Sequence, residues 1–234
     1  MPESSPSRVE LWLVRHGETA WSRDRRHTGL SDIPLTEHGR EQAAALRPLL
    51  AAQTWDAVLC SPLSRARETA ALALPDVTPV FDDDLVERDY GPTEGITSAE
   101  LRRSDPTWDS WKTVVTGAET IEQVGDRVDR VIARVTGAGG SNDGAQARSD
   151  DGDAGPPAER GSADAPTGSG EADSDVRPRR VLIVAHGHLL RILAARWIGE
   201  PAVLGARLAL DVASASVLGY EHDRRVITRW NVRD

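Results

Sequence analysis

Cysteine and long apolar runs are absent or nearly absent from this chain of 234 residues. The single cysteine, Cys60, excludes a disulfide within the chain. Because it ends an apolar run, a small buried residue is favoured over a nucleophile there. No apolar stretch reaches the length that crosses a bilayer, and the polar residues 1–7 lack the apolar core of a signal peptide. We therefore expect a cytoplasmic protein without a membrane partner.

Lysine is almost as scarce, since Lys112 is the only lysine among 28 basic residues. This bias towards arginine lowers the information that any single arginine carries, so arginines must be judged by their position. The formal net charge of −9 and the lack of a basic stripe argue against a nucleic-acid partner. With 39% hydrophobic residues, the chain can form one domain with a sizeable core, and we expect a monomer or a homodimer.

One internal segment has a composition unlike the rest. From residue 137 to 175 there is no Leu, Ile, Val, Met, Cys or aromatic residue, and residues 137–178 carry nine acidic side chains against three arginines. Such a segment cannot bury enough apolar surface to offset its ordering entropy. We expect residues 1–234 to form a single domain, with a disordered acidic insert rich in Gly, Ser, Asp and Pro at 137–178. A solvated loop is favoured for this insert over a partner-binding tract.

Two apolar runs far apart in the sequence each end in a histidine and a glycine. Residues 9–14 predict a strand that leads into Arg15-His16-Gly17, and the uniformly apolar residues 181–184 predict a buried strand before His186-Gly187. Ligands of open α/β sheets bind beyond the carboxyl ends of the strands, which is where both histidines would lie. A guanidinium beside a histidine suits a phosphate and a group that attacks it.

Outside the insert, predicted strands and helices alternate, which is typical of a three-layer α/β fold. Thr36 is expected to cap a helix reaching about residue 52 with a kink at Pro48, and Ser61 to cap the helix that follows a strand at 56–60. Capping boxes begin at Thr97 and Thr120. Further predicted elements are a helix at 188–197 and strands at 208–212, 216–220 and 226–230.

Five short sequence blocks follow one another along the chain. They are RHGET at 15–19, SDIPLT at 31–36, CSPLSRA at 60–66, ERDYG at 87–91 and AHGH at 185–188. Together they resemble the histidine phosphatase superfamily in its phosphoglycerate-mutase-like branch, and most closely its acid-phosphatase and sugar-bisphosphatase-like members. The resemblance implies an α/β/α sandwich of three layers with a mostly parallel central sheet.

Phosphate chemistry assigns expected roles to these residues. Neutral His16 is the candidate nucleophile, and its other ring nitrogen is expected to donate to a backbone carbonyl. Arg15 and Arg65 are placed to hold the phosphoryl oxygens, because the planar guanidinium matches phosphate geometry. The resemblance implies that His186 completes the phosphate pocket, whereas His188 is expected to be a supporting residue.

The leaving group needs a proton donor, and two carboxylates are candidates. The resemblance implies Glu87, because of its place before Tyr90-Gly91, whereas Asp89 occupies a position where many mutases carry histidine. Glu87 is favoured over Asp89 for this role.

Substrate specificity depends on less distinctive positions. The resemblance places Ser22, Thr28, Gly29 and Gly187 around the phosphate or the substrate. Ser22 stands where the family usually has asparagine, and the segment His-Thr-Gly at 27–29 is the version seen in acid-phosphatase-like members.

The sequence therefore predicts a phosphatase that hydrolyses phosphate monoesters of small metabolites through a phosphohistidine at His16, without a metal or other cofactor. The histidines at 186 and 188 lack the Cys, Asp or Glu partners of a recognisable zinc site. One alternative is a phosphoglycerate mutase that uses the same phosphohistidine, and another is a catalytically weak scaffold that binds phosphorylated ligands. The physiological substrate is left open.

Overall fold

The computed structural model of the chain describes residues 8–137 and 177–233. The insert expected at 137–178 therefore lies outside the described residues, apart from its two ends. In the described part, no helix is both long enough and apolar enough to cross a membrane.

The described residues form six strands and seven helices, joined by turns and short 3-10 segments. The strands are β1 (Val9–Arg15), β2 (Ala57–Cys60), β3 (Val80–Phe81), β4 (Arg179–Ala185), β5 (Ala215–Glu221) and β6 (Arg224–Val232). The helices are α1 (Ala20–Arg23), α2 (Glu37–Ala45), α3 (Arg47–Ala51), α4 (Ser64–Ala73), α5 (Ser98–Ser104), α6 (Ile121–Thr136) and α7 (Gly187–Trp197).

All six strands belong to one sheet in the order β3-β2-β4-β1-β5-β6. The first four strands of that order run parallel to one another, whereas β5 pairs antiparallel with both β1 and β6. The predicted mostly parallel sheet is therefore confirmed. Strands β1 and β4 come from opposite ends of the chain and pair along their whole length, from Val9 with Arg179 to Arg15 with Ala185.

Each face of the sheet is covered by helices over its own apolar core. Alternate residues of β1 point to opposite faces, so Leu11 and Leu13 pack with α6 and α7, whereas Trp12 and Val14 pack with α3 and α4. The buried run of β4 divides between the two cores in the same way. This arrangement confirms the predicted sandwich of three layers.

Helix α6 follows its sequence pattern closely. Val124, Val128, Val131 and Val135 are buried along one face, as their spacing of three to four residues requires. The capping box at its start is formed by Thr120 and Gln123, and the box expected at the start of α5 is also present.

Two local predictions are wrong, each for an identifiable reason. Residues 208–212 form no strand, because main-chain carbonyls there accept hydrogen bonds from the side chains of Arg15 and Trp230. Ser61 does not cap α4, since its hydroxyl is paired with His186 and the helix begins three residues later. The helix expected from Thr36 to about residue 52 is interrupted beside Pro48, as its predicted kink requires, because proline has no N–H to continue the ladder.

The turn after β1 depends on a direct contact between two glycines. A side chain on Gly17 would place its Cβ 2.3 Å from the carbonyl oxygen of Gly39, and one on Gly39 would place it 2.1 Å from the carbonyl oxygen of Glu18. Both distances are too short for any Cβ atom. The start of α2 therefore lies directly against the backbone that carries His16.

We expect Gly39→Ala to destabilise the fold by about 1–3 kcal/mol, because main-chain atoms must move to admit the methyl group. The same movement displaces Gly17 and lowers activity, since about 1 Å of misplacement at a catalytic group costs roughly 100-fold. Urea unfolding and the rate of phosphate release measure the two effects. The control Ala45→Gly lies in the same helix and costs about 1 kcal/mol through helix propensity alone. Full activity in Gly39→Ala would contradict the contact.

Candidate active site

Three polar side chains follow directly after three adjacent parallel strands. His16 follows β1, Ser61 follows β2 and His186 follows β4. Main-chain hydrogen bonds extend the sheet by one step, from His16 N to the carbonyl of Ala185 and from Ser61 N to the carbonyl of Val184. The carboxyl edge of the sheet therefore brings residues together that are up to 170 positions apart in sequence.

The ring of His16 has a defined tautomer. Its Nδ1 lies 2.7 Å from the carbonyl oxygen of Gly17, which can only accept, so Nδ1 carries the proton and Nε2 keeps its lone pair. Burial, followed by the guanidinium groups of Arg65 and Arg15, holds the pKa of His16 well below its usual range. His16 is thus a neutral imidazole with one unprotonated nitrogen, as the sequence predicts.

Behind His16, three buried side chains form a hydrogen-bonded chain. The Nε of Arg65 donates to Nδ1 of His186 at 3.2 Å, and Nε2 of His186 lies 2.7 Å from the hydroxyl of Ser61. Because an arginine can only donate, the proton of His186 resides on Nε2 and is donated to Ser61. The two imidazoles of His16 and His186 lie 5.2 Å apart between their centroids. Burial and the charge of Arg65 hold the pKa of His186 well below its usual range.

The guanidinium of Arg65 is fully buried and held by neutral acceptors. Besides His186, it donates from Nη1 to the carbonyl of Ser31 and from Nη2 to the carbonyl of Gly29. The hydroxyl of Thr69 accepts from Gly17 N and donates to the carbonyl of Arg65, so it ties the turn after β1 to α4. Three of the five N–H groups of Arg65 are thereby used, and two are left for another acceptor.

Arg15 reaches the site along the first turn of α7. Its Nη1 donates to the carbonyl of Leu210, and its buried Nε finds no hydrogen-bond partner among the described residues. A Cβ on Gly187 would lie 3.3 Å from both Cζ and Nε of Arg15, so the glycine leaves space for the guanidinium. The main chain beneath is fixed by Ala213, whose N–H donates to the carbonyls of both Arg15 and His16.

Glu87 binds the N-terminus of α7 through its carboxylate. It accepts three main-chain hydrogen bonds of 2.9–3.0 Å, from Arg88 N, His188 N and Leu189 N. The amides at a helix N-terminus attract negative charge, so this position fixes the orientation of the carboxylate. Although Glu87 comes from the loop after β3, it is only 5% exposed and lies close to His16 in the same cavity.

One cavity of about 250 Å³ unites most of the predicted site residues. Six of them line it, namely Arg15, His16, Ser22, Thr28, Glu87 and Gly187. Arg65 and His186 lie behind this lining, and Gly29 supports Arg65 through its carbonyl. The remaining lining residues are Arg25, Arg26, His27, Tyr90, His188 and Arg191.

The two hydroxyl residues of the cavity are engaged locally. Ser22 forms a capping box with Thr19, because its hydroxyl accepts from Thr19 N and donates to the carbonyl of Thr19. The hydroxyl of Thr28 donates to the carbonyl of Arg26. Both residues therefore shape the wall of the cavity as well as line it.

His188 is surrounded by aromatic rings. Its Nδ1 lies 2.7 Å from the hydroxyl of Tyr90, and its ring stacks on Trp111 at 4.3 Å between centroids. Tyr90 stacks in turn on His27 at 4.9 Å. Burial and the charge of Arg191 hold the pKa of His188 well below its usual range. These contacts agree with the expected supporting role of His188.

The thiol of Cys60 is unsuited to act as a nucleophile. Cys60 is buried, and burial raises the pKa of its thiol to about 12, so a thiolate is strongly disfavoured. Within residues 8–137 and 177–233, no three His, Cys, Asp or Glu side chains are grouped to hold a metal ion.

Sequence reasoning missed several residues of the site. Ser61 follows a parallel strand just as the two histidines do, so the rule about strand ends could have found it. Arg191 lies three residues after His188 on the same face of α7, which is also a readable signal. Thr69 and Arg25 carry no comparable sequence signal, because their places depend on how α4 and the turn after α1 pack.

Comparison with known proteins places these residues in a wider context. A sequence model described as the histidine phosphatase superfamily (branch 1) matches residues 11–145 and 168–233. An acid phosphatase from Mycobacterium tuberculosis is 35% identical over 92% of this chain and 88% of its own length. A sedoheptulose 1,7-bisphosphatase from Saccharomyces cerevisiae is 29% identical over 85% of this chain and 70% of its own length.

A solved structure has the same fold. The protein of the open reading frame Rv3214 from Mycobacterium tuberculosis superposes with a TM-score of 0.74 at 32% identity, covering 96% of this chain and 97% of that one. This likeness confirms the fold inferred from the five sequence blocks.

The buried neutral histidines predict a steep dependence of stability on pH. In the unfolded chain His16, His186 and His188 bind protons near pH 6.5, whereas in the folded chain their lowered pKa values keep them neutral. The unfolded state therefore binds more protons below pH 6.5, and each histidine costs about 1.4 kcal/mol per pH unit there. We expect the free energy of unfolding to fall by roughly 3–4 kcal/mol between pH 7.0 and 5.5.

Urea titrations at several pH values measure this fall. His188→Gln should reduce it by about a third, whereas His222→Asn, at an exposed histidine, should leave it unchanged. An unfolding free energy that is the same at pH 7.0 and pH 5.5 would show that the three rings are protonated alike in both states.

Proposed function

This chain belongs to branch 1 of the histidine phosphatase superfamily, and we propose that it hydrolyses phosphate monoesters of small metabolites through a phosphohistidine at His16. The state of His16 carries this proposal. Its Nδ1 is bound to the carbonyl of Gly17, and its unprotonated Nε2 belongs to a ring that lines a small, positively charged cavity. A neutral imidazole held in this way is prepared for attack on phosphorus.

The proposed reaction has two displacements. In the first, the lone pair on Nε2 of His16 forms a bond to phosphorus while the bond to the ester oxygen breaks, and Glu87 gives that oxygen a proton. In the second, water attacks the phosphohistidine, the carboxylate of Glu87 takes its proton, and inorganic phosphate leaves. The Nδ1–H of His16 stays bonded to Gly17 throughout, which stabilises the positive charge of the phosphorylated ring.

Two arginines are proposed to hold the transferring phosphoryl group. Arg15 has a buried Nε without a partner among the described residues. The guanidinium of Arg65 is oriented by three hydrogen bonds, which leave two of its N–H groups unused. Preorganised donors of this kind stabilise developing charge without further rearrangement. His186 then acts through Arg65, because it fixes the orientation of that guanidinium.

The geometry favours Glu87 over Asp89 as the proton donor. Glu87 lines the cavity of His16 as well as a neighbouring cavity. Asp89 lines the neighbouring cavity with Glu119 and Arg127, and its Oδ1 accepts from Gly91 N. Three main-chain N–H donors hold the carboxylate of Glu87 in this cavity of His16.

We expect His16→Ala to lower kcat by on the order of 10³-fold or more, because no neighbouring group replaces the nucleophile. The rate is measured as release of inorganic phosphate without a bisphosphorylated primer, and circular dichroism monitors the fold. His38→Ala, at an exposed histidine of α2, serves as the control and should retain full activity.

Activity in His16→Ala close to that of the unmodified protein would refute the assignment. If the unmodified protein moves phosphate between positions on phosphoglycerate and releases none, the mutase is the correct alternative.

We expect Glu87→Gln to slow esters with poor leaving groups at least 10-fold more than p-nitrophenyl phosphate, whose leaving group needs no proton. Glutamine keeps an oxygen acceptor for the amides of α7, so the fold should be retained. The measurement is kcat/KM for glycerol 3-phosphate and for p-nitrophenyl phosphate. In the parallel variant Asp89→Asn, both esters should keep their relative rates. Asp89 would be the donor if Asp89→Asn selectively slowed glycerol 3-phosphate while Glu87→Gln left the relative rates of the two esters unchanged.

A further inference from the structure

The active-site cavity contains more positive charge than one phosphate needs. Four arginines line it, at positions 15, 25, 26 and 191, and Arg65 lies directly behind. Glu87 is the only acidic side chain among the described lining residues. Arg26 is partly compensated, since Nη1 donates to the carbonyl of Gly95 and lies 3.9 Å from Glu100. Even with a dianionic phosphate bound, and Glu87 protonated for its role as donor, positive charge is left over.

Arg25 is the least expected member of this group. It follows α1 in a left-handed backbone conformation, with φ of +57°, which glycine or asparagine adopts with less strain. Its side chain is exposed at the cavity and forms no ion pair with a described residue. A strained backbone that holds an unpaired charge at the wall of a cavity points to a ligand rather than to folding.

Arg191 is held in place without being neutralised. Its Nε donates to the carbonyl of Gly205, its Nη2 donates to the carbonyl of Ala206, and its guanidinium lies over the ring of Trp111 at 4.5 Å. Carbonyl groups and an indole fix the orientation of a guanidinium, but none of them carries a net negative charge. The positive charge of Arg191 is therefore available to a ligand in the cavity.

We propose that Arg25 and Arg191 form a subsite for a second anionic group of the substrate, a phosphate or a carboxylate. This inference rests on the proposed function, in which His16, Arg15 and Arg65 take the phosphoryl group that is transferred. All the lining residues surround only about 250 Å³, so one small metabolite can reach both sets of arginines. A guanidinium fork can donate two parallel hydrogen bonds to a pair of oxygens of either anion.

The test compares substrates that differ by one anionic group. The first pair is fructose 1,6-bisphosphate with fructose 6-phosphate, and the second is 3-phosphoglycerate with glycerol 3-phosphate. We expect kcat/KM to be at least 10-fold higher for the member with the second anion in one or both pairs. A preference in the first pair identifies a second phosphate, and one in the second pair identifies a carboxylate.

Variants then assign the preference to Arg25. Asparagine tolerates the left-handed conformation, so Arg25→Asn removes the charge without straining the turn and should reduce the preference at least fivefold. Arg25→Lys keeps the charge and should restore part of it. The control Arg23→Asn changes an exposed arginine of α1 that pairs with Asp24 outside the cavity, and it should leave the preference intact.

The possible outcomes separate the two proposals. The second subsite is refuted, while the phosphatase stands, if kcat/KM of the unmodified protein is equal for the two members of both pairs. The same conclusion follows if Arg25→Asn keeps the preference. If no ester is hydrolysed, including p-nitrophenyl phosphate, the proposed function itself is refuted.

Discussion

The parallel pairing of β4 between β1 and β2 is the constraint on which the rest of the site depends. It fixes the register in which Arg15 lies opposite Ala185 and Cys60 lies opposite Val184, so the next residue of each strand emerges at the same edge. A shift of one residue in either pairing would turn the buried side chains towards the wrong face. The apolar side chains of β4 pack into both cores and so hold this register. They therefore also fix the distance between His16 and His186.

The electrostatics of the site follow from that placement. Burial, reinforced by the guanidinium groups of Arg65 and Arg15, lowers the pKa of His16 and keeps its ring neutral. The same charges attract the phosphate that the neutral ring is proposed to attack. Glu87 is held beside these arginines by its hydrogen bonds to the amides of α7. The hydrogen bonds of Arg65 to two carbonyls and an imidazole offset part of the cost of burying its charge.

Much of this arrangement was readable from the sequence, and the exceptions have physical causes. The apolar runs and the capping boxes predicted β1, β4, α5 and α6, because those signals depend on neighbouring residues alone. The strand expected at 208–212 failed because its carbonyls serve side chains from elsewhere in the chain. Ser61 was assigned to a helix cap because its true partner, His186, is 125 residues away. Arg25 gave no signal at all, since its role depends on a backbone conformation that the sequence does not encourage.

The central claim is that His16 carries the phosphoryl group during turnover, and rapid quenching followed by peptide mapping tests it most directly. An activated aryl phosphate is the suitable substrate, because its departure needs no proton and hydrolysis of the intermediate then becomes the slower step. The account predicts phosphate that is labile to acid and stable to base on the peptide containing His16. Phosphate on any other side chain, or a phosphate-free chain at every quench time, would contradict it.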